Sequence, residues 1–274
     1  MKKIAIQGIQ GSNHHIVANN YYGENIELNE CLSFDVLVDS LLNSESEQAV
    51  MALENTIAGS IIPNYALIDK YNLHISGEHY LPIHHHLMAL QNQTIEEITE
   101  VCSHPMALLQ CKEFFKQHKH IKLIEDVDTS AVAKRITEQQ LKGVAAIAPK
   151  IAAEIFDLSI IEDEIQTIKN NATRFVFLQT TLPKNGKNEI NKASLKFELD
   201  HKRGSLAAML NVMSDCKLNL TKIQSLPKIE TPWKYAFFVD VTFEAYKDYE
   251  KAKAIIQIMA EDFKILGEYK NGRL

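Results

Sequence analysis

The stretch QAVMALENT, Gln48 to Thr56, holds five apolar residues in a row and then breaks into a carboxylate, an amide and a hydroxyl. A run so short and so uniformly apolar suits a strand buried on both faces, as in a parallel sheet covered by helices. Its polar C-terminal end falls where open parallel sheets bind ligands. The same pattern recurs on either side. KIAIQG, LHISGEHYL, HLMAL, EVCSHP, IKLIED, VAAIAP and RFVFLQT read as strands, while FDVLVDSLLN, NYALIDKYN, MALLQCKEFFKQ, TSAVAKRITEQQ and KIAAEIF read as helices. From Lys2 to about Leu182 this alternation predicts an α/β domain with helices packed on a sheet.

The segment LPKNGKNEINKA, Leu182 to Ala193, contains Pro, Gly, three Asn and three Lys without hydrophobic periodicity, so residues 183–192 read as a linker. Beyond it, SLKFEL, GSLAAMLNVMSDC, NLTKIQSL, KYAFFVDVTF, YEKAKAIIQIMAE and FKILGEY read in order as strand, helix, strand, strand, helix, strand. A βαββαβ order in this length predicts a ferredoxin-like second domain over residues 193–274. Trp233, after Pro232, is expected to close the hairpin between its middle strands as a packing anchor.

Composition narrows the function classes. The chain has 274 residues, 46% hydrophobic and 23% charged, and a net charge of -6 without a basic block. That argues against disorder and against a nucleic-acid footprint, and favours a small-molecule partner. The apolar run at the start is broken by Gln and Gly short of a signal-peptide core, and no stretch approaches the roughly 20 apolar residues of a membrane span. Cys31, Cys102, Cys111 and Cys216 have neither CxxC nor metal spacing, which suits free thiols in a reducing cytoplasm.

Five polar strand ends remain: GIQGS (Gly8–Ser12), LENTIAGS (Leu53–Ser60), CSHPMALLQ (Cys102–Gln110), DTSAVA (Asp128–Ala133) and NNATRF (Asn170–Phe175). They supply hydroxyls, amides and one guanidinium at candidate helix N-termini, a set suited to an anionic ligand. In this order, together with the tail, they resemble the prephenate dehydratase family over nearly the whole chain. The resemblance implies conversion of prephenate to phenylpyruvate, water and carbon dioxide without a cofactor or metal. It also implies a periplasmic-binding-protein-like catalytic domain over 1–182 with a cleft between two α/β subdomains. The first would comprise about 1–76 and 167–182, the second about 77–166, followed by an ACT regulatory domain over 193–274. Homodimers or homotetramers and phenylalanine feedback are implied in the same way.

On that resemblance Thr173 is the proton donor to the departing hydroxyl, with Glu54 and Asn55 beside it. Ser12, Asn55, Thr56, Ser103, Gln110, Arg174 and Phe175 are candidate substrate-binding residues. A threonine is a weak acid and needs tight placement in a dry site. Strand alternation sends Thr173 and Phe175 to one face and Arg174 to the other, so Arg174 either grips a carboxylate or braces the site. Gly204, Ser205, Leu206, Asn219, Leu220, Gln224 and Ser225 are the implied phenylalanine site.

Departures from the family pattern are informative. Ser12, Asn13 and His14 stand where Thr-Phe-Ser is usual, and Thr56 replaces a Ser. In the tail, QSLP (Gln224–Pro227) replaces Glu-Ser-Arg-Pro, so phenylalanine is expected to bind more weakly. Simpler readings compete at several positions: Asp128, Thr129 and Ser130 as a helix cap, Ser103 as a turn former, and Gln110 as a solvated helix residue. His84 and His86 in PIHHHLMAL lack a third ligand at zinc spacing. The rival functions are arogenate dehydration and, from another class, non-catalytic binding of a small molecule.

Overall fold

The structure, a computed structural model, describes residues 1–183, 186–200, 202–228 and 234–273. Pro232 and Trp233, with the hairpin role expected for Trp233, lie outside these residues, as do Lys184 and Asn185 of the expected linker. The described chain divides into two compact units, Met1–Gly59 with Tyr80–Phe175, and Ser60–His79 with Val176–Leu274.

In the first unit, β1 (Lys2–Gln7) pairs in parallel with β2 (Ile26–Cys31) and with β3 (Gln48–Asn55). The start of β11 (Ala172–Gln179) lies beside β3, giving the order β11-β3-β1-β2. Helices α1 (Asn13–Tyr22) and α2 (Phe34–Leu42) follow β1 and β2, capped by the hydroxyls of Ser12 and Ser33. Both faces of the sheet are covered, so Ile4, Ala5 and Ile6 are all fully buried.

A second sheet of the same unit has the order β10-β6-β9-β7-β8. It is built from β6 (His86–Ala89), β7 (Glu100–Ser103), β8 (Lys122–Glu125), β9 (Val144–Ala148) and β10 (Ser159–Glu162). Helices α4 (Pro105–Phe115), α5 (Thr129–Gln139) and α6 (Lys150–Phe156) cover it. Alternate residues divide between two cores. Leu87, Ala89, Val101, Ala145 and Ile147 join the α4 side, and Met88, Cys102, Ala146 and Ala148 join the α5 and α6 side. Two buried faces explain why these strands read as unbroken apolar runs.

In the second unit, β12 (Lys192–Glu198), α7 (Ser205–Asp215), β13 (Asn219–Pro227), β14 (Tyr235–Thr242), α8 (Tyr246–Met259) and β15 (Asp262–Tyr269) form the expected βαββαβ arrangement. The antiparallel order is β13-β14-β12-β15. Phe197, Met209, Val241, Tyr249 and Ile256 form its core under the two helices. This unit also takes in α3 (Ile62–Lys70) and the first part of β5 (His74–Pro82), whose Ile75 pairs in parallel with Gly267. A Cβ on Gly267 would stand 2.4 Å from the Ile75 carbonyl, so only glycine permits this approach. Strands β5 and β11, and the two-residue β4 (Gly59–Ser60), each begin in one unit and end in the other. Among the described residues no helix is long and apolar enough to cross a membrane.

Beside the two-residue β4 and a 3-10 turn at Ile95–Glu97, three longer elements lie outside the sequence expectations. Helix α1, NHHIVANNYY, buries only His14, Val17 and Ala18, so it carries no apolar stripe. Strands β2 and β10 are sheet edges, and their half-buried, partly polar sequences lack the apolar run of the central strands.

Candidate active site

Strand β11 opens with Ala172, Thr173, Arg174 and Phe175, the last three of them buried. The end of β3 is pinned to it. Thr56 N donates to the Ala172 carbonyl, and Ala172 N donates to Thr56 Oγ1, both at 2.9 Å. Asn55 is thereby held against β11, and its rotation is fixed by the chain that follows. Its Oδ1 accepts from Ile57 N and Ala58 N, each at 2.9 Å. Backbone N–H groups can only donate, so the amide nitrogen must face the other way. It donates to Asn171 Oδ1 at 2.7 Å and to Thr173 Oγ1 at 3.0 Å, with a longer contact of 3.3 Å to the Ala172 carbonyl.

That direction has a chemical consequence. Thr173 Oγ1 accepts from Asn55, and among the described residues its hydroxyl makes no other hydrogen bond, so its proton is left for a ligand. An N–H aimed at the oxygen also stabilises the negative charge that forms there as the proton departs. On α4, Gln110 Oε1 accepts from Asn171 Nδ2 and pairs with His85 Nε2, both at 2.9 Å, while its own N–H2 makes no hydrogen bond to another described residue.

Ser12 caps α1, accepting from His15 N at 3.3 Å, and Ser103 donates to the Ile147 carbonyl at 2.7 Å from a fully buried position. Glu54 is partly exposed at the end of β3, and both Glu54 and Arg174 are engaged within the protein. Asn55, Thr56, Gln110 and Thr173 therefore share one hydrogen-bonded set, while Ser12 and Ser103 bond elsewhere. Asp128 caps α5 through Ser130 N and Ala131 N, at 2.9 and 2.8 Å. Burial pushes its carboxyl above the usual range, against the pull of those two bonds. A Cβ on Gly8, at φ +88°, would meet Asp128 Oδ2 at 2.7 Å.

Phe175 packs against His14 edge to face, with centroids 5.0 Å apart, and Phe34 lies 5.8 Å from the same imidazole. Burial there pushes the His14 pKa down to about 3. His84 and His86 pair separately with Glu164 and Asp163, at 3.1 and 3.0 Å, and with Asn13 and Lys150 they line a cavity of about 430 Å³. Among the described residues no group of three or more His, Cys, Asp or Glu side chains is placed to hold a metal ion.

The sequence profile of the family described as prephenate dehydratase matches residues 4–182, a span that contains every member of this hydrogen-bonded set. The chain belongs to the prephenate dehydratase family. It is an enzyme, a dehydratase of the lyase class. It is 34% identical over 279 residues to arogenate dehydratase/prephenate dehydratase 2, chloroplastic, of Arabidopsis thaliana, covering 97% of this chain and 72% of that protein. It is 30% identical over 275 residues to the bifunctional chorismate mutase/prephenate dehydratase of Buchnera aphidicola, covering 97% and 70%. Among solved structures, GqqA, described as a novel type of quorum quenching acylase, aligns with a TM-score of 0.86 at 24% identity over 98% of both chains. The prephenate dehydratase of Arthrobacter aurescens in complex with L-Phe aligns with a TM-score of 0.85 at 20% identity, over 99% of this chain and 90% of that one. At such identities these two likenesses speak to the fold.

In this prephenate dehydratase family member the residues expected to hold phenylalanine are spread over the second unit. Gly204, at φ +86°, precedes α7, and Ser205 and Leu206 line a cavity of about 150 Å³ with Lys202, Tyr235 and Phe237. Asn219 lines a different cavity of about 620 Å³ with Lys217 and Asp248. Leu220, Gln224 and Ser225 lie along β13, where Gln224 Nε2 donates to the Ser225 carbonyl at 3.0 Å. Asn171 and His85 were absent from the sequence expectations. Asn171 stands two residues before Thr173 in the NNATRF stretch, a signal available but unused, whereas His85 is passed over between His84 and His86.

Proposed function

We propose that this enzyme carries out the decarboxylating dehydration of prephenate to phenylpyruvate, with Thr173 as the proton donor. The observation that carries the reading is the bond from Asn55 Nδ2 to Thr173 Oγ1, which leaves the threonine proton unused. The C–CO2 bond breaks, its electron pair enters the ring, and the C–OH bond breaks at the other side. The departing hydroxide takes the Thr173 proton and leaves as water, and solvent returns a proton to the threonine oxygen. A poor leaving group is the barrier here, and a positioned acid typically contributes about 10²- to 10⁴-fold. The N–H2 of Gln110 offers a neutral donor to a substrate oxygen. Arg174, buried and already engaged, braces β11 in this reading.

In the same reading residues 1–182 form the catalytic domain, with subdomains of about 1–76 plus 167–182 and 77–166. Residues 183–192 link it to an ACT domain over 193–274, which binds phenylalanine through the region of Ser205, Leu206 and Gln224. The match over residues 4–182 and the βαββαβ unit from Lys192 onward support this division. Four free cysteines suit a reducing cytoplasm, and the assembly is a homodimer or homotetramer.

Arogenate is the second candidate substrate, because the relative from Arabidopsis thaliana carries both names. Turnover of purified protein on prephenate and on arogenate decides between them. A higher kcat/KM on prephenate supports this reading, and a preference for arogenate replaces it. Calorimetry with phenylalanine tests the regulatory part: tighter binding after Gln224→Glu is expected, and tight binding unchanged by that substitution contradicts it.

A further inference from the structure

The hydrogen bonds around Thr173 do not stop at Gln110. From the backbone N–H groups of Ile57 and Ala58 they run through Asn55, Asn171 and Gln110 to His85, joining four separate stretches of the chain. Their direction is determined along the whole path. Asn55 must present its N–H2 to Asn171, so Asn171 must present Oδ1 to Asn55 and N–H2 to Gln110. Gln110 must then present Oε1 to both Asn171 and His85. His85 can complete the chain only as a donor through Nε2.

We propose that His85 and Asn171 are positioning residues for the dehydration, holding Gln110 and Asn55 so that the Gln110 N–H2 and the Thr173 proton both face substrate. The role rests on the reading of Thr173 as proton donor. An amide can turn over without changing its outline, so something must select one orientation. A turned Gln110 would set its N–H2 against the N–H2 of Asn171 and withdraw it from the ligand. Two donors converging on Oε1 prevent this.

His85 is suited to be the end of the chain. It is 5% exposed, its backbone N donates to Gln166 Oε1 at 2.9 Å, and its Nδ1 has no hydrogen-bond partner among the described residues. Burial lowers its pKa, against the hydrogen bond to Gln110, which raises it; His86 and His84 lower it further. The ring is therefore neutral near pH 7, with its proton on Nε2. The alternative tautomer would leave two lone pairs facing each other at Gln110.

The test combines histidine ring 15N NMR with kinetics on the full chain. The His85 signal, identified by its loss in His85→Gln, is expected to report the Nε2–H tautomer. In Asn171→Asp the new carboxylate cannot donate, Gln110 turns its N–H2 toward it, and the His85 proton is expected to move to Nδ1. His85→Phe and Asn171→Asp are expected to lower kcat roughly 10- to 100-fold with KM within about threefold. His85→Gln, which can offer an N–H near the same place, should stay within about fivefold of the parent. An Nδ1–H tautomer in the parent, an unmoved tautomer in Asn171→Asp, or an unchanged kcat in either of the two lowering variants overturns the proposal. If the parent turns over neither prephenate nor arogenate, the reading of Thr173 fails separately and the positioning role falls with it, while the two tautomers still test the direction of the chain.

Discussion

Around Thr173 in the first unit, the side chains that hydrogen-bond one another are neutral amides, hydroxyls and an imidazole, beside one buried guanidinium, Arg174, whereas in the second unit the buried network of Glu78, Lys192 and Lys196 is built from full charges. Lys192 Nζ bonds both carboxylate oxygens of Glu78 at 2.9 Å, with both side chains buried, and Glu78 Oε1 also accepts from Gly272 N at 3.0 Å. Nearby, Lys196 reaches Asp262 at 2.6 Å, Glu198 at 3.1 Å and Asp69 at 3.4 Å. Burial works against the Lys196 charge, but the hydrogen bonds that its Nζ donates to Asp262 and Glu198 hold its pKa above the usual range. Such pairs need excellent geometry to offset desolvation, and their rigidity suits a place where nothing reacts. A site for a dianion that must lose one carboxylate has the opposite requirement. A fixed cation against that carboxylate would stabilise the bound substrate as well as the transition state and would not raise the rate. Neutral N–H groups gain most as charge develops on the oxygens they face.

The contrast can be broken most forcefully in the charged network. Lys192→Met removes the lysine from a buried carboxylate, and chemical denaturation is expected to show a loss of about 3–5 kcal/mol. Adding Glu78→Gln, which still accepts from Gly272 N, should recover most of it. In the neutral network Asn55→Asp keeps the acceptor for Ile57 N and Ala58 N but replaces the donor to Thr173 with a carboxylate. The threonine then donates to Asp instead of to the leaving group, and kcat should fall about 10²- to 10³-fold with little change in thermal midpoint.

A smaller effect comes from His14. Its folded pKa of about 3 lies below the unfolded value, so the unfolded chain binds the extra proton first and stability falls as pH drops below about 6.5. Between pH 7 and pH 5 the loss is about 2 kcal/mol, from the roughly 1.5 pH units that separate the unfolded value from pH 5 at about 1.4 kcal/mol per unit. His14→Phe should remove that part of the acid sensitivity in denaturation curves at the two pH values. His85, also depressed by burial, leaves a remainder of the same sign. The smallest effect is expected at the surface. Lys116 and Glu113 pair at 2.8 Å at the C-terminal end of α4 but are largely exposed, and Lys116→Ala should move the thermal midpoint by no more than about 2 °C.

Much of this was legible in the sequence because burial writes itself into it. The five apolar residues after Gln48 become a central strand, and the βαββαβ order appears in the second unit as expected. Helix α1 and the edge strands β2 and β10 escaped the reading because each buries too little to leave a periodic pattern. At the site, Asn55, Thr56, Gln110 and Thr173 could be named from strand ends and resemblance. The direction of their hydrogen bonds could not, because it is set by partners such as His85 and Gln110, 25 residues apart, and Asn55 and Asn171, 116 apart. Sequence spacing carries no record of which face of an amide looks where.

Whether the amide-held threonine gives up the proton is decided by Thr173→Val. Valine matches the threonine outline and removes only the hydroxyl. In this variant kcat on prephenate is expected to fall by at least about 10³-fold while calorimetry still shows prephenate bound within about threefold of the parent affinity, and Thr173→Ser is expected to retain most activity. A Thr173→Val enzyme that turns over prephenate at the parent rate would contradict this proton transfer.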